Sequence, residues 1–386
     1  MKNRLLFTTA LIAAAFAVSD ARAERLVVSS GEEEAVNAEM SANDNSELQG
    51  GAILNLGKLT VADGVVFNGN AGSVGGAVST VDASGAAVIG DNVSFIGNTS
   101  AMQGGAYHNQ RATSTIGDNA KFHNNTAIGY GGGAVYQDTD GREAVLTIGD
   151  NAEFKGNKSE TSHGGAVMNF NAGDKAEITI GKNAVFSGNS AGKTGGAVAN
   201  WGGSMRLGEG ASFAENRAAT DGGAVYNDFS EDKDGNAVSA GSLAFNGGAR
   251  FTGNTASGLG GAIYNTRSIT LNPGAGQEIV FSGNTDSTGS NAIFMGDGSS
   301  LDITGDGKVV FDDALSSQSA TPALKKTGSG ELLLNASMDG FLGTAAFEDG
   351  RTEIPQKWLI KNTVTITGGR LKMPAFSFVA QGEGNN

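Results

Sequence analysis

Cysteine is absent from this chain, and histidine occurs only at His108, His123 and His163. Without cysteine there is no disulfide framework, so stability must come from burial and backbone pairing. The absence also suits a chain that crosses a second membrane unfolded, where a premature crosslink would block passage. Only 4 prolines interrupt 386 residues, and the 61 glycines follow no collagen-like period. Past the first residues, no segment offers the ~18 consecutive apolar positions that a membrane helix needs. Basic residues are also few: 26 Lys and Arg against 40 Asp and Glu, a net charge of −14. Such a surface repels phosphate backbones and anionic lipid, which sets nucleic acid aside as a partner.

What is present begins with a positively charged start (Lys2, Arg4), an apolar stretch from Leu5 to Val18 and a small-x-small site at Ala21-Arg22-Ala23. These read as a secretory signal peptide over 1–23, leaving an exported mature chain. Its loss removes three basic residues and one acidic one, so 23 basic face 39 acidic, a net −16.

The strongest signal is a pair of motifs that recur together eight times. Gly-Gly-Ala starts at Gly50, Gly75, Gly104, Gly132, Gly164, Gly195, Gly222 and Gly260, with spacings of 25 to 38 residues. Phe-x-x-Asn begins at Phe67, Phe95, Phe122, Phe154, Phe186, Phe213, Phe251 and Phe281. A period of that size marks a stack of small units, each burying its apolar side against its neighbours. Each unit reads as three short strands. The first ends on an apolar residue before Gly-Asp-Asn or a variant (Ile89, Ile116, Ile148, Ile180, Leu207); the second carries Phe six residues later; the third follows Gly-Gly-Ala. No 3.6-residue period runs between them. Parallel stacking at about 4.8 Å per rung would make eight rungs a rod on the order of 40 Å long.

Columns of the stack assign themselves. After Gly-Gly-Ala comes Ile53, Val78, Tyr107, Val135, Val167, Val198, Val225 or Ile263, an inward set. The next residue (Leu54, Ser79, His108, Tyr136, Met168, Ala199, Tyr226, Tyr264) is variable and reads as mostly outward. One further on, Asn55, Asn109, Asn169, Asn200, Asn227 and Asn265 are expected to form an asparagine ladder. The phenylalanines are expected to stack in the core, and the Gly-Gly pair to supply positive φ and close backbone approach.

Gly-Gly-Ala-Ile/Val with Phe-x-x-Asn over 50–284 resembles the repeat of the chlamydial polymorphic outer-membrane proteins, although this chain lacks the cysteines common there. Those are autotransporters, and the resemblance implies a right-handed parallel β-helix passenger that acts as an adhesin. Leu324-Lys-Lys-Thr-Gly-Ser-Gly-Glu-Leu-Leu-Leu, followed by Gly340 and Phe341, is similar to the passenger-associated transport repeat, and 364–373 reads as one more rung. The organisation expected is a signal peptide (1–23), an N-terminal cap or leader (24–49), an all-β repeat β-helix (50–300) and C-terminal rungs (301–386). The outer-membrane translocator barrel that an autotransporter should end in is not among these segments, since the chain closes on the polar Gly382-Glu-Gly-Asn-Asn.

Chemistry is sparse. The three histidines show no metal-ligand spacing and read as surface polar residues. The column Asp91, Asp118, Asp150 could stack carboxylates around Ca²⁺, but Lys182 and Glu209 continue it, and Gly-Asp-Asn is turn chemistry. No Gly-x-Ser-x-Gly elbow or phosphate loop occurs. No catalytic, cofactor or metal residue is assigned. Insertions gather at one corner, 137–144, 170–176 and 228–241, carrying Asp138, Asp140, Asp174, Glu231, Asp232 and Asp234 with Tyr136, Phe170, Tyr226 and Phe229. Loops in one register project from one face, often the binding face. The expectation is a non-catalytic adhesin or self-associating protein at the cell surface, outer membrane or outside the cell, meeting a host-cell or bacterial surface protein or glycan. The alternative is a β-helix polysaccharide lyase or hydrolase.

Overall fold

The computed structural model describes residues 25–82, 85–171, 175–231, 237–239, 241–356, 358 and 361–374. The expected signal peptide, the closing residues 382–386, and Asp174, Asp232 and Asp234 lie outside the described residues, as does the side chain of Glu231. The described chain is a parallel β-solenoid with no helix.

Each rung has four strands rather than the three read from the repeat. One rung runs Tyr107–Gln110, Thr113–Ile116, Lys121–His123 and Thr126–Ala127. Stacking gives sheet 1 (after Gly-Gly-Ala, 11 strands), sheet 2 (before Gly-Asp-Asn, 13), sheet 3 (Phe, 13) and sheet 4 (after Phe-x-x-Asn, 10), all parallel except Gly289–Ser290, which pairs antiparallel with Thr285–Asp286 at the end of sheet 4. The strands of sheet 4 are often only two residues long, so no alternation betrays them; their mark is a small residue facing inward, such as Ala127, Ala191 or Ala218. Residues 26–49 supply one strand to each sheet and form the first rung. After Leu315–Ser317 only sheets 2 and 3 continue, through Ala323–Lys326 with Glu331–Leu334 and on to Val364–Ile366 with Arg370–Lys372. Thirteen strands extend the rod to roughly 60 Å.

The two halves of Gly-Gly do separate work. The first glycine adopts φ between 60° and 73° in all eight copies, the left-handed region that a side chain disfavours. At the second, in seven of the eight copies, an added Cβ would sit about 2.0 Å from the carbonyl of the next rung's glycine, as at Gly133 beneath Gly165. The alanine that follows is fully buried each time, because the corner leaves space for one methyl group.

Three ladders run through the stack. Nine phenylalanines, Phe67 to Phe311, stack with ring centroids 4.6–4.9 Å apart and planes within 8°. The expected amide ladder of sheet 1 also forms, with Gln137 bridging Asn109 and Asn169 at 2.9 and 3.2 Å. A third, not foreseen, is made by the Asn of Phe-x-x-Asn. Asn98 donates from its backbone N–H and its Nδ2 to Asn125 Oδ1 at 2.9 and 3.0 Å, and Nδ2 also donates to the Phe67 carbonyl at 2.9 Å. Every hydrogen-bonding capacity of the buried amide is met. The chain of amides runs from Asn43 to Asn284 and ends on Asp313, whose two oxygens accept four donors: Asn284 N and Nδ2, Gly283 N and Ser290 Oγ.

A terminus made only of acceptors is what a ladder of donors requires. Asp313→Asn turns one acceptor into a donor facing donors, and urea denaturation should show a loss of about 1–3 kcal/mol. Unchanged stability would mean that Asp313 does not close the ladder.

Candidate binding face

Sheet 1 turns every second residue outward, and its outer face does not behave as a solvated surface. His108, Tyr136, Met168 and Ala199, expected to point mostly into water, are at most 5% exposed. The turn that leads into Gly-Gly folds against them: Gly104 and Gly132 lie so close to the Tyr136 Cβ that an added Cβ would stand 3.3 and 3.0 Å from it. Tyr136, Met168 and Ala199 form a second apolar cluster outside the main core, with Phe170, Trp201 and Tyr226 half-buried around it.

Trp201 is the residue the sequence reading missed. Ala199 is the smallest side chain in the outward column, and the indole of Trp201, two residues on, packs there. Its ring lies 4.5 Å from His163, 6.3 Å from Phe170 and 6.2 Å from Tyr226, tilted to each by 43–52°. It therefore breaks the stacking rather than joining it. Beyond it, Tyr226, Tyr264 and Phe294 stack at 5.1 and 5.3 Å. The Tyr226 hydroxyl donates to Asp228 Oδ2 at 2.6 Å, and Asp228 Oδ1 accepts the Phe229 N–H at 2.8 Å and the Thr266 hydroxyl. Burial first, then the Asp228 charge, drives the Tyr226 hydroxyl well above its ordinary range. Burial followed by Asp221 and Asp228 raises Tyr264 to about 12. Both phenols stay protonated and can donate.

The histidines are not all surface residues. His108 is buried, with Nδ1 3.1 Å from Ser79 Oγ and Nε2 3.7 Å from Asp138 Oδ2, a Ser-His-Asp line across three rungs. Ser79 is 0% exposed, so no substrate carbonyl can reach its oxygen, and the line serves as packing. His163 Nδ1 meets Thr194 Oγ1 at 2.7 Å; burial, then Lys193, lowers its pKa to about 4. His123 lies on the outer side of sheet 3 beside Glu153 at 3.1 Å, and burial lowers its pKa also.

The Asp column is turn chemistry in the structure. Asp91 Oδ1 accepts the Asp118 N–H, Asp118 Oδ1 the Asp150 N–H and Asp150 Oδ1 the Lys182 N–H, at 2.7–2.8 Å. Among the described residues no three His, Cys, Asp or Glu side chains gather in a way that could hold a metal.

The insertion corner splits in two. Gln137 and Asp138 are buried strand residues, and residues 140–143 stand out in that loop, with Asp140 paired with Arg111 at 3.3 Å. The longest insertion is an antiparallel hairpin, Ser230–Glu231 against Ala237–Ser239. Its base is clamped: the Arg267 guanidinium lies 4.0 Å over the Phe229 ring. The corner and the aromatic face are thus one continuous surface.

Residues 210–228 and 248–266 match the Chlamydia polymorphic membrane protein repeat. Each matched window runs from the turn before the Phe strand to the end of the Gly-Gly-Ala strand, and they carry Tyr226, Asp228, Tyr264 and Thr266. The other Gly-Gly-Ala strands take the same place in the stack as those of the two matched windows. No curated protein matches the chain. Repeat and solenoid together fit an autotransporter passenger, and the repeat points to a protein of the bacterial surface or outer membrane.

Two measurements check this face. In a Trp358→Phe background, which leaves Trp201 as the sole indole, Ala199→Leu should lift the ring and red-shift its emission; an unchanged spectrum would mean the indole does not rest there. His163 is harder to protonate folded than unfolded, so stability should fall as pH drops from about 6.5 to about 4 and level off below. His163→Gln should flatten that slope, read as the difference between variant and parent because His123 titrates in the same direction.

Proposed function

We propose that this chain is a surface-displayed passenger whose work is adhesion, through the outer face of sheet 1 and its loop-bearing corner, without catalysis. The observation that carries the reading is the gathering of Phe170, Trp201, Tyr226 and Tyr264 on one outer face, half-buried and flanked by Asp228. The outer sides of sheets 2 and 3 present ion pairs instead, such as Glu33–Lys58 and Glu331–Arg351–Glu353. Aromatic anchors beside polar groups are where binding energy concentrates, whereas exposed ion pairs contribute little.

Two of the acids of this face are badly spaced for glycoside cleavage. Asp138 and Asp228 stand three rungs apart, roughly 14 Å, against about 5–9.5 Å for an acid pair that cleaves a glycoside. That spacing supports a face that holds a partner rather than one that cuts it.

Trp201→Ala with Tyr226→Ala should lower binding to cultured animal cells or to bacteria by about tenfold or more, with the melting temperature of the main core retained. Full binding by that variant would place adhesion elsewhere. Shortening 139–143 while keeping Gln137 and Asp138 tests the corner separately. Steady product release from any bacterial or plant polysaccharide would overturn the non-catalytic reading.

A further inference from the structure

We propose that the partner seated on the outer face of sheet 1 is a basic protein segment, whose lysine or arginine side chain lies over Trp201 and Tyr226 with its charge against Asp228. The place of docking is that of the adhesion reading, on which this rests; the chemistry of the partner is new. Trp201 pairs with Asp228 in the register of sheet 1, so indole and carboxylate are neighbours one rung apart. The Trp201 and Tyr226 rings, 6.2 Å apart and tilted by 43°, do not cover each other's faces as the parallel rings of the phenylalanine column do. Both are half-buried. An aromatic face left open beside a carboxylate attracts a cation twice, through the ring quadrupole and through the charge.

The charge at this place is uncompensated. Asp228 Oδ1 accepts the Phe229 N–H and the Thr266 hydroxyl, while Oδ2 accepts only the Tyr226 hydroxyl. All three donors are neutral, and Oδ2 keeps a lone pair for one more. Asp221 accepts the Leu259 N–H at 2.8 Å, and Asp297 accepts the Ser319 and Thr321 hydroxyls, neutral donors again. Among the described residues none of these three acids is ion-paired, whereas Glu33, Glu331 and Glu353 on sheets 2 and 3 all are. The Tyr264 phenol registers the resulting field: after burial, Asp221, Asp228 and Asp297 all raise it. A half-buried carboxylate without a counter-charge costs stability, and an arriving cation recovers it.

The chain already seats a cation on a ring at this corner. The Arg267 guanidinium lies 4.0 Å over Phe229, the residue after Asp228. Arg267 is held there, and among the described residues no cation lies over Trp201. The whole chain adds to the attraction, since its net charge of −14 steers a basic partner inward. A sulfated or carboxylated glycan would be repelled by the same field, and a neutral one would make no use of it.

The test uses the purified chain carrying Trp358→Phe, so that Trp201 alone reports, and two probes of equal length, octalysine and octaglutamate. Octalysine should shift the Trp201 emission to saturation, more weakly as salt rises, and octaglutamate should leave it unchanged. Asp228→Asn keeps the shape, and the Tyr226 hydroxyl can turn to accept from the new amide. It should weaken octalysine by about tenfold with the melting temperature retained. Glu39→Gln removes one exposed charge from the first rung and should change nothing, which separates this site from general attraction to an acidic rod. Octalysine that leaves Trp201 unmoved, or that binds Asp228→Asn and parent alike, would overturn the proposal. So would an equal loss in Glu39→Gln, or a Trp201 shift with phosphatidylcholine vesicles and none with octalysine. Octalysine should also displace the chain from cells. If it fails to do so while Trp201→Ala with Tyr226→Ala still abolishes adhesion, the basic partner falls and the adhesive face stands. If octalysine binds as expected while that double variant adheres fully, the adhesive face falls and the cation site stands.

Discussion

The rungs of this rod are held in register by side chains that bond to their own copies one strand spacing away. The buried amide of Phe-x-x-Asn is the strictest case. It can satisfy its two N–H donors and its oxygen only if another Asn stands in the next rung at the same depth, and it does so from Asn43 to Asn284. A one-residue slip would bury an unpaired amide in every affected rung, a cost of about 1–3 kcal/mol each. The phenylalanine three residues earlier accepts the same spacing, since rings 4.6–4.9 Å apart pack face to face without distortion. The glycine pair then permits the corner that brings each strand back beneath its copy. Remove the equal spacing, and all three devices fail together.

Identical residues at fixed offsets were therefore readable before any coordinates. The Phe stack, the positive φ and close approach of the Gly-Gly pair and the amide ladder through Asn169 and Asn200 all follow from a residue meeting itself. Sheet 4 escaped because pairs such as Thr126-Ala127 are too short to show alternation. The Asn98 ladder escaped because that asparagine was read only as half of a motif, not as a buried group in need of partners.

The outer face of sheet 1 was legible only in part, for a different reason. Alternation places Tyr136 and His108 outside the barrel, and they are outside it; what covers them is a turn from another part of the rung, which no local pattern reports. Tyr136, Phe170 and Tyr226 were singled out through the insertions near them. Trp201 sits in a rung without an insertion, and its one signal was the small Ala199 beside it. Insertions mark where loops lengthen, while the apolar surface depends on which side chains leave gaps. The rigid ladders free this face from any part in holding the rod together, so its residues can differ from rung to rung.

The rod thus divides into a uniform interior and a variable outer face. Hydroxyl-radical footprinting of the wild-type chain, free and bound to cultured cells, tests it most directly. Trp201, Tyr226 and Tyr264 should lose reactivity on binding while Val88, exposed on sheet 2, keeps its own. Protection of Val88 with the three aromatic residues unchanged would contradict it.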